Sequence, residues 1–236
     1  MNPSLSIVLP AYNEEANIEQ AVRDSCSAAA GLVESYELTV VDDGSRDATG
    51  EILSRLAGEM EPRLILVSHP TNRGYGAALR SGFAAARGKL IFYTDSDNQF
   101  DLRELRAFLP LVNEYDAVLG YRIHRRDSGL RRFVSSGYNF LASTAFGMSV
   151  RDLNCSFKLF RREAIEALSL ESDDFFIDTE LVVRLHRAGF RYIQKGVHHY
   201  PRTGGRSTVR PSDVPRTFLA LGRIWWKFHR MNSRGQ

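Results

Sequence analysis

The stretch Lys89–Phe100, KLIFYTDSDNQF, decides the fold. Its first part, Leu90-Ile91-Phe92-Tyr93, is a short apolar run bounded by Gly88 and by a polar cluster. Such a run reads as a buried strand of a sheet covered on both faces. It ends in two carboxylates, Asp95 and Asp97. Side chains two apart on a strand point the same way, so the spacing predicts both acids facing one crevice at the strand's carboxyl end. Open α/β sheets bind their ligands there. Two hard oxygen donors with one side open suit a divalent cation that keeps waters and takes diphosphate oxygens as further ligands. Taken alone, D-x-D fits a solvated acidic turn better. The surrounding chain changes that reading.

Working toward the N-terminus, a third strand is predicted at Leu64–Val67, then Asn72-Arg73-Gly74-Tyr75-Gly76 leading into an Ala-rich helix over 77–87 that Gly88 stops. A second strand, Glu37–Val41, ends in Asp42-Asp43-Gly44-Ser45 and precedes a helix over 47–58 with Asp47 as N-cap. The first strand, Leu5–Leu9, is closed by Pro10, whose missing donor belongs at a strand end. Tyr12-Asn13-Glu14-Glu15 and a helix over 16–30 follow, with Ile18, Ala21, Val22 and Ala29 inward. Alternating strands and helices with short connections give a mostly parallel sheet with right-handed crossovers, the nucleotide-binding half of a doubly wound α/β fold.

Toward the C-terminus the pattern loosens. A helix is predicted over 101–112, a strand at Ala117–Leu119, a helix near 132–147 and a strand over Asp152–Phe160. A short helix at Arg161–Leu168, a helix at Asp178–Ala188 ended by Gly189, and a strand at Phe190–Val197 complete the reading. Between them, RIHRRDSGLRR at 122–132 carries five arginines against one aspartate. Neither internal repeats nor low-complexity segments are evident.

The 236 residues hold 31 Lys and Arg against 28 Asp and Glu, a net charge of +3 that is too mild to imply nucleic acid. Five Lys or Arg against one Asp fall in 211–236, a basic tail on a nearly neutral body and hence a partner signal. Cys26 and Cys155 form neither a disulfide framework nor a metal-ligand spacing, and fit a reducing compartment as small buried groups. The N-terminus lacks a basic leader and runs straight into a strand, and no apolar run reaches the roughly 20 residues a bilayer span needs. The expectation is a cytoplasmic chain held at a membrane surface. If 214–230 is helical, Val214, Phe218, Leu221, Trp225 and Phe228 lie along one line, with Leu219 and Trp226 beside it and Arg216, Arg223, Lys227 and Arg230 opposite. That is the form of an interfacial helix. A helix docked on the protein's own body, or on a second copy in a homo-oligomer, is the alternative.

Gly74-Tyr75-Gly76-Ala77-Ala78-Leu79 imitates a dinucleotide fingerprint, but its third glycine is missing and it follows the third strand rather than the first. No P-loop occurs. The ordered set is more specific than any member: Pro10-Ala11-Tyr12-Asn13-Glu14-Glu15, Val41-Asp42-Asp43-Gly44-Ser45, Asn72-x-Gly74 and Asp95-Ser96-Asp97, each at or just past a strand end. With these motifs the chain resembles the family 2 inverting glycosyltransferases of GT-A fold, and within them the dolichyl- and polyprenyl-phosphate mannose and glucose synthases. The resemblance covers about residues 5–208. It implies one catalytic domain over 1–210, with 211–236 as a basic amphipathic tail.

The resemblance also implies roles. Pro10, Tyr12 and Glu14 would line the base and ribose side of a nucleotide diphosphate sugar (a GDP- or UDP-hexose), and Asp42 and Asp43 would bond base or ribose. Asp97 would hold Mg²⁺ or Mn²⁺, with Asp95 and Gln99 as further ligands and Ser96 between them at the donor. Arg122 and Arg131 would bind the phosphate of a polyprenyl phosphate acceptor, while Arg125, Arg126 and Arg132 are equally suited to lipid headgroups. Asp152, Ser156, Phe157 and Lys158 are similar to a segment under the acceptor, and Phe176-Ile177-Asp178-Thr179-Glu180 to a helix start beside it. Asp178 and Asp152 are candidates for orientation as much as for catalysis, since a phosphate acceptor needs little deprotonation; helix capping is the competing reading. Arg202, in the loop His198–Ser207, would close over the donor diphosphate and neutralise developing charge. Where relatives carry Lys, this chain has Thr208, so Arg206 or Arg210 would supply any second cation. The adjacent His198 and His199 read as structural. The same residues would also serve a family 2 transferase of a polysaccharide or small molecule, or a non-catalytic nucleotide-sugar-binding module.

Overall fold

The structure is a computed structural model that describes residues 4–123, 129–202, 204 and 219–226, excepting the side chains of 129–134. Four strands form its parallel half: β1 (Leu5–Ala11), β2 (Tyr36–Asp42), β3 (Leu64–Ser68) and β4 (Leu90–Thr94). They lie in the order β3-β2-β1-β4, joined by α1 (Ile18–Ala30), α2 (Thr49–Glu59) and α3 (Tyr75–Ala85). The order reverses between β1 and β4. A reversal of strand order is the switch point at which open α/β sheets bind their ligands.

The sheet then changes character. β5 (Ala117–Ile123) does not lie beside β4, because β6 (Phe157–Arg161) inserts between them, antiparallel to both. β7 (Tyr192–His198) runs parallel to β5 at the edge and completes a mostly parallel, seven-stranded sheet. Against this half pack α4 (Gly129–Phe146), α5 (Arg162–Glu166) and α6 (Ile177–Arg187). The run on β4 is buried on both faces: Ile91 and Tyr93 enter the core shared with α3, α4 and α6, and Phe92 enters the core beneath α1 and α2. That double burial is why it reads as continuously apolar.

Several elements differ from the sequence reading. Pro10 lies inside β1, paired with Val41, rather than ending the strand. Pairing to β4 stops at Val8–Tyr93, and the Pro10 carbonyl accepts from Ser96 Oγ at 2.8 Å, so the missing N–H falls where no strand asks for it. The helix expected over 101–112 is two 3-10 stretches, Leu102–Ala107 and Leu109–Asn113. Pro110 lacks the N–H that an α-helix would need there. The strand expected from Asp152 begins only at Phe157, because the Leu153 N–H donates to Asn139 Oδ1 instead of entering a ladder. Asp47 does cap α2, from one residue further out than the N-cap position, taking the Thr49 N–H at 3.0 Å.

Of the C-terminal helix expected over 214–230, residues 219–226 are described and are helical; the rest lies outside the described residues. Leu221 and Ile224 are buried in the core shared with α4 and α6, so this part docks on the protein's own body. The buried line passes through Ile224, not through Trp225, which is 40% exposed. Leu219 and Trp226 face outward at 64% and 55% exposure. Among the described residues no helix is long and apolar enough to cross a membrane.

Candidate active site

The carboxyl ends of β1, β2 and β4 bring the predicted motifs to one edge. After β2, Asp43 is buried and its carboxylate is shared among four donors. Oδ1 sits 2.6 Å from His69 Nδ1 and takes the Arg73 N–H at 2.9 Å. Oδ2 takes the Gly74 N–H at 2.8 Å and Asn72 Nδ2 at 2.9 Å. Asp42 takes the Ser45 N–H at 3.0 Å. Both acids expected to bond the base or ribose hold the loops that frame the crevice, as carboxylate oxygens beneath backbone donors can.

Gly74 and Gly76 explain the imperfect fingerprint. A side chain at either would collide with the backbone of Ser172–Asp173, and Gly74 also has φ of +99°. The Gly76 N–H donates to the Asp173 carbonyl at 2.9 Å. The glycines seat the loop that leads into α6, which is close backbone approach rather than dinucleotide binding.

Past β4 the two predicted metal ligands lie in a turn, since the strand ends at Thr94 and Asn98 has φ of +58°. Strand alternation is thus not what brings them together. Asp95 turns inward, accepting from Tyr75 OH at 2.9 Å and Ser156 Oγ at 2.5 Å. Burial, then the charge of Asp97, push its pKa up to about 7. Asp97 is also raised, chiefly by burial, while Arg202 pulls it back down. Gln99 points its amide nitrogen at the Tyr200 carbonyl, 2.8 Å away. Among the described residues no three His, Cys, Asp or Glu side chains converge as a metal cage. The acids are a pair that repel each other across a partly closed site. Asp95 also borders a cavity of about 790 Å³ between α1 and the first 3-10 stretch.

Arg202 reaches the same edge from the far end of the chain. It forms an ion pair with Glu14 and donates through Nε to the Gly204 carbonyl at 2.8 Å. Asn17 Nδ2 braces the corner, donating to Glu14 Oε2 at 2.8 Å and to Gly204 O at 3.1 Å. Tyr12 is half-buried beside them.

On the β5–β6 side, Arg122 grips Asp152 with two bonds, Nε to Oδ2 at 2.7 Å and Nη2 to Oδ1 at 2.8 Å. Asp152 is therefore a partner of Arg122 and not a helix cap. Asp178 is likewise no cap: it lies in the first turn of α6, buried, with Lys158 Nζ 2.7 Å from Oδ1. Arg131 is in α4, with its side chain outside the described set, and Arg125, Arg126, Arg206, Ser207, Thr208 and Arg210 also lie outside the described residues. His198 bonds Glu104 at 3.1 Å, and the His199 ring packs on Phe100.

Residues 6–169 match the family described as glycosyl transferase family 2. The chain belongs to that family. Glycosyltransferase AglD of Haloferax volcanii is 38% identical over 94% of the chain, and the undecaprenyl-phosphate 4-deoxy-4-formamido-L-arabinose transferase of Shewanella sediminis is 32% identical over 86%. The chain spans 37% and 61% of those two relatives' lengths. Among solved structures, glucosyl-3-phosphoglycerate synthase from Mycobacterium tuberculosis in complex with Mn²⁺, UDP and phosphoglyceric acid superposes with a TM-score of 0.70 at 22% identity, covering 93% of this chain and 78% of that one. The same enzyme with Mn²⁺ and UDP-glucose gives 0.71 at 20% identity, covering 94% and 79%. These establish the GT-A fold of this chain.

Sequence reasoning named Ser156 and Lys158 only within a motif, and did not single out Tyr75 or Tyr93. A signal was present. Tyr93 stands two residues before Asp95 and Lys158 two after Ser156, so each lies close in the chain to a residue already named.

Proposed function

We propose that the transferase moves a hexose, mannose or glucose, from a GDP- or UDP-sugar to a polyprenyl or dolichyl phosphate, with inversion at the anomeric carbon. The observation that carries this is the acid pair Asp95–Asp97 at the β1/β4 switch, with Arg202 close enough to act on the charge of Asp97. The acceptor class draws support from relatives named for transfer to undecaprenyl phosphate.

The pair fits a divalent cation: burial raises both carboxylates, and the charge of Asp97 raises Asp95 further, so the two acids lack the positive charge that would relieve them. Asp95 and Asp97, with Gln99 alongside, would hold Mg²⁺ or Mn²⁺, a set matching cations that bind through one or two carboxylates plus substrate phosphates. Such a cation supplies positive charge to the departing diphosphate. Pro10, Tyr12, Glu14 and Ser96 line the donor side, over loops fixed by Asp42 and Asp43. Arg202 is held by Glu14 in this structure. A donor diphosphate is the stronger anion and draws the guanidinium from Glu14, neutralising the leaving group. Arg131, and Arg122 oriented by Asp152, meet the acceptor phosphate. One of its oxygens attacks the anomeric carbon in line, forming the new C–O bond as the bond to the diphosphate breaks. Residues 1–210 form the catalytic domain, and 211–236 a basic tail that keeps it at the cytoplasmic leaflet.

The test is incubation with Mn²⁺, polyprenyl phosphate and a panel of radiolabelled nucleotide sugars, followed by organic extraction. Label enters the organic phase with one donor, and Asp97→Ala and Arg202→Ala each reduce transfer by about 100-fold or more. Absence of organic-phase label from every donor overturns the acceptor assignment. Donor affinity without turnover on any acceptor marks a binding module instead.

A further inference from the structure

Beneath the crevice, β4 and β6 build a two-rung polar ladder in an otherwise apolar core. The upper rung joins Asp95 to Ser156 and Tyr75. The lower rung joins register partners Tyr93 and Lys158 to Asp178 of α6. Lys158 is fully buried, yet each of its three ammonium hydrogens has an acceptor: Tyr93 OH at 2.8 Å, the Cys155 carbonyl at 2.7 Å and Asp178 Oδ1 at 2.7 Å. Tyr93 OH in turn donates to the same Asp178 oxygen. Both donors converge on Oδ1, and Oδ2 accepts no hydrogen bond among the described residues. Asp178 stands in the first turn of α6. Tyr93, whose hydroxyl holds Asp178, stands two residues before Asp95, which places Asp178 beneath the reacting edge.

We propose that Lys158 and Tyr93 are positioning residues that lock the Asp178 carboxylate by Oδ1, so that Oδ2 is presented to a hydroxyl of the bound sugar. The inference rests on the transferase reading above. A buried ion pair kept for stability alone has no need of an unpaired oxygen. A carboxylate gripped by two donors on one atom has a single orientation for the other. A substrate hydroxyl is the donor that a carboxylate oxygen without a partner can take, and fixing it orients the sugar for in-line attack.

The experiment compares wild type with Tyr93→Phe, Lys158→Met, Asp178→Asn and the Lys158→Met/Asp178→Asn pair. Each is assayed with whichever nucleotide sugar gives organic-phase label in the wild type, and folding is followed by thermal melting. Lys158→Met strands a buried carboxylate and melts early, and adding Asp178→Asn restores the melt. Tyr93→Phe keeps the fold and the donor KM, while kcat falls about 10–100-fold. The double variant regains the fold but not kcat. Wild-type kcat in Tyr93→Phe, or a double variant recovering kcat together with its melt, overturns the inference and leaves a structural ion pair. A wild type that labels nothing defeats the transferase reading instead, and the inference falls with it.

Discussion

Asp43 shows how one residue type serves two ends. A carboxylate at a strand's carboxyl end was expected to meet the nucleotide, yet its oxygens are taken by His69, Asn72 and two backbone N–H groups. Asp43→Ala should therefore cost about 2–4 kcal/mol, because it strands several buried donors at once. Chemical denaturation with no nucleotide present reads this directly. A residue used only for donor contact would leave the midpoint unchanged. Asp95 carries a different signature. Its pKa, raised to about 7, means the folded chain holds a proton that the unfolded chain has released. The contribution is full below the ordinary carboxylate range near pH 4 and is lost as pH rises through about 7. In chelator, wild type should lose melting temperature relative to Asp95→Asn across that window, and Mn²⁺ should reverse the loss. A constant difference between the two proteins would contradict the charge repulsion assigned to the pair.

Among the elements, those built on local pattern were legible. β4 declared itself because both its faces are apolar, and the helices declared themselves by spacing. What the sequence hid was non-local. Nothing in Phe157–Arg161 says that it runs antiparallel between β4 and β5, since pairing direction is set by the whole sheet. The site divides in the same way. The acids and Arg202 could be named from their positions at segment ends, but not the grip of Arg202 on Glu14, which closes a loop of 188 residues. Nor could the order of residues show that Gly74 and Gly76 seat the Ser172–Asp173 backbone. Gly74→Ala should destabilise by about 2 kcal/mol or more, from positive φ and collision together. Gly58→Ala, on an exposed turn of α2 with open space around it, should stabilise slightly or do nothing. Equal melting temperatures for the two variants would remove the close-approach account.

At the scale of the whole molecule, the described surface carries exposed apolar groups on α4 (Phe140 and Leu141) and on the helical residues 219–226 (Leu219 and Trp226). We propose that these exposed apolar groups meet the lipid leaflet to which the basic tail is assigned. Flotation with vesicles should show binding that rises with anionic lipid and falls with salt, and Leu219→Ser/Trp226→Ser should weaken it without lowering the melting temperature. Binding indifferent to lipid charge would assign the tail another role. The central claim, that the β1/β4 edge gathers Asp95, Asp97 and Arg202 around a metal-bound diphosphate, is tested most directly by anomalous diffraction from crystals grown with Mn²⁺ and a nucleoside diphosphate. The account predicts a manganese peak within bonding distance, about 2.0–2.2 Å, of an Asp97 carboxylate oxygen, with the diphosphate between it and the Arg202 guanidinium. A peak elsewhere, or a diphosphate that leaves Arg202 on Glu14, would contradict it.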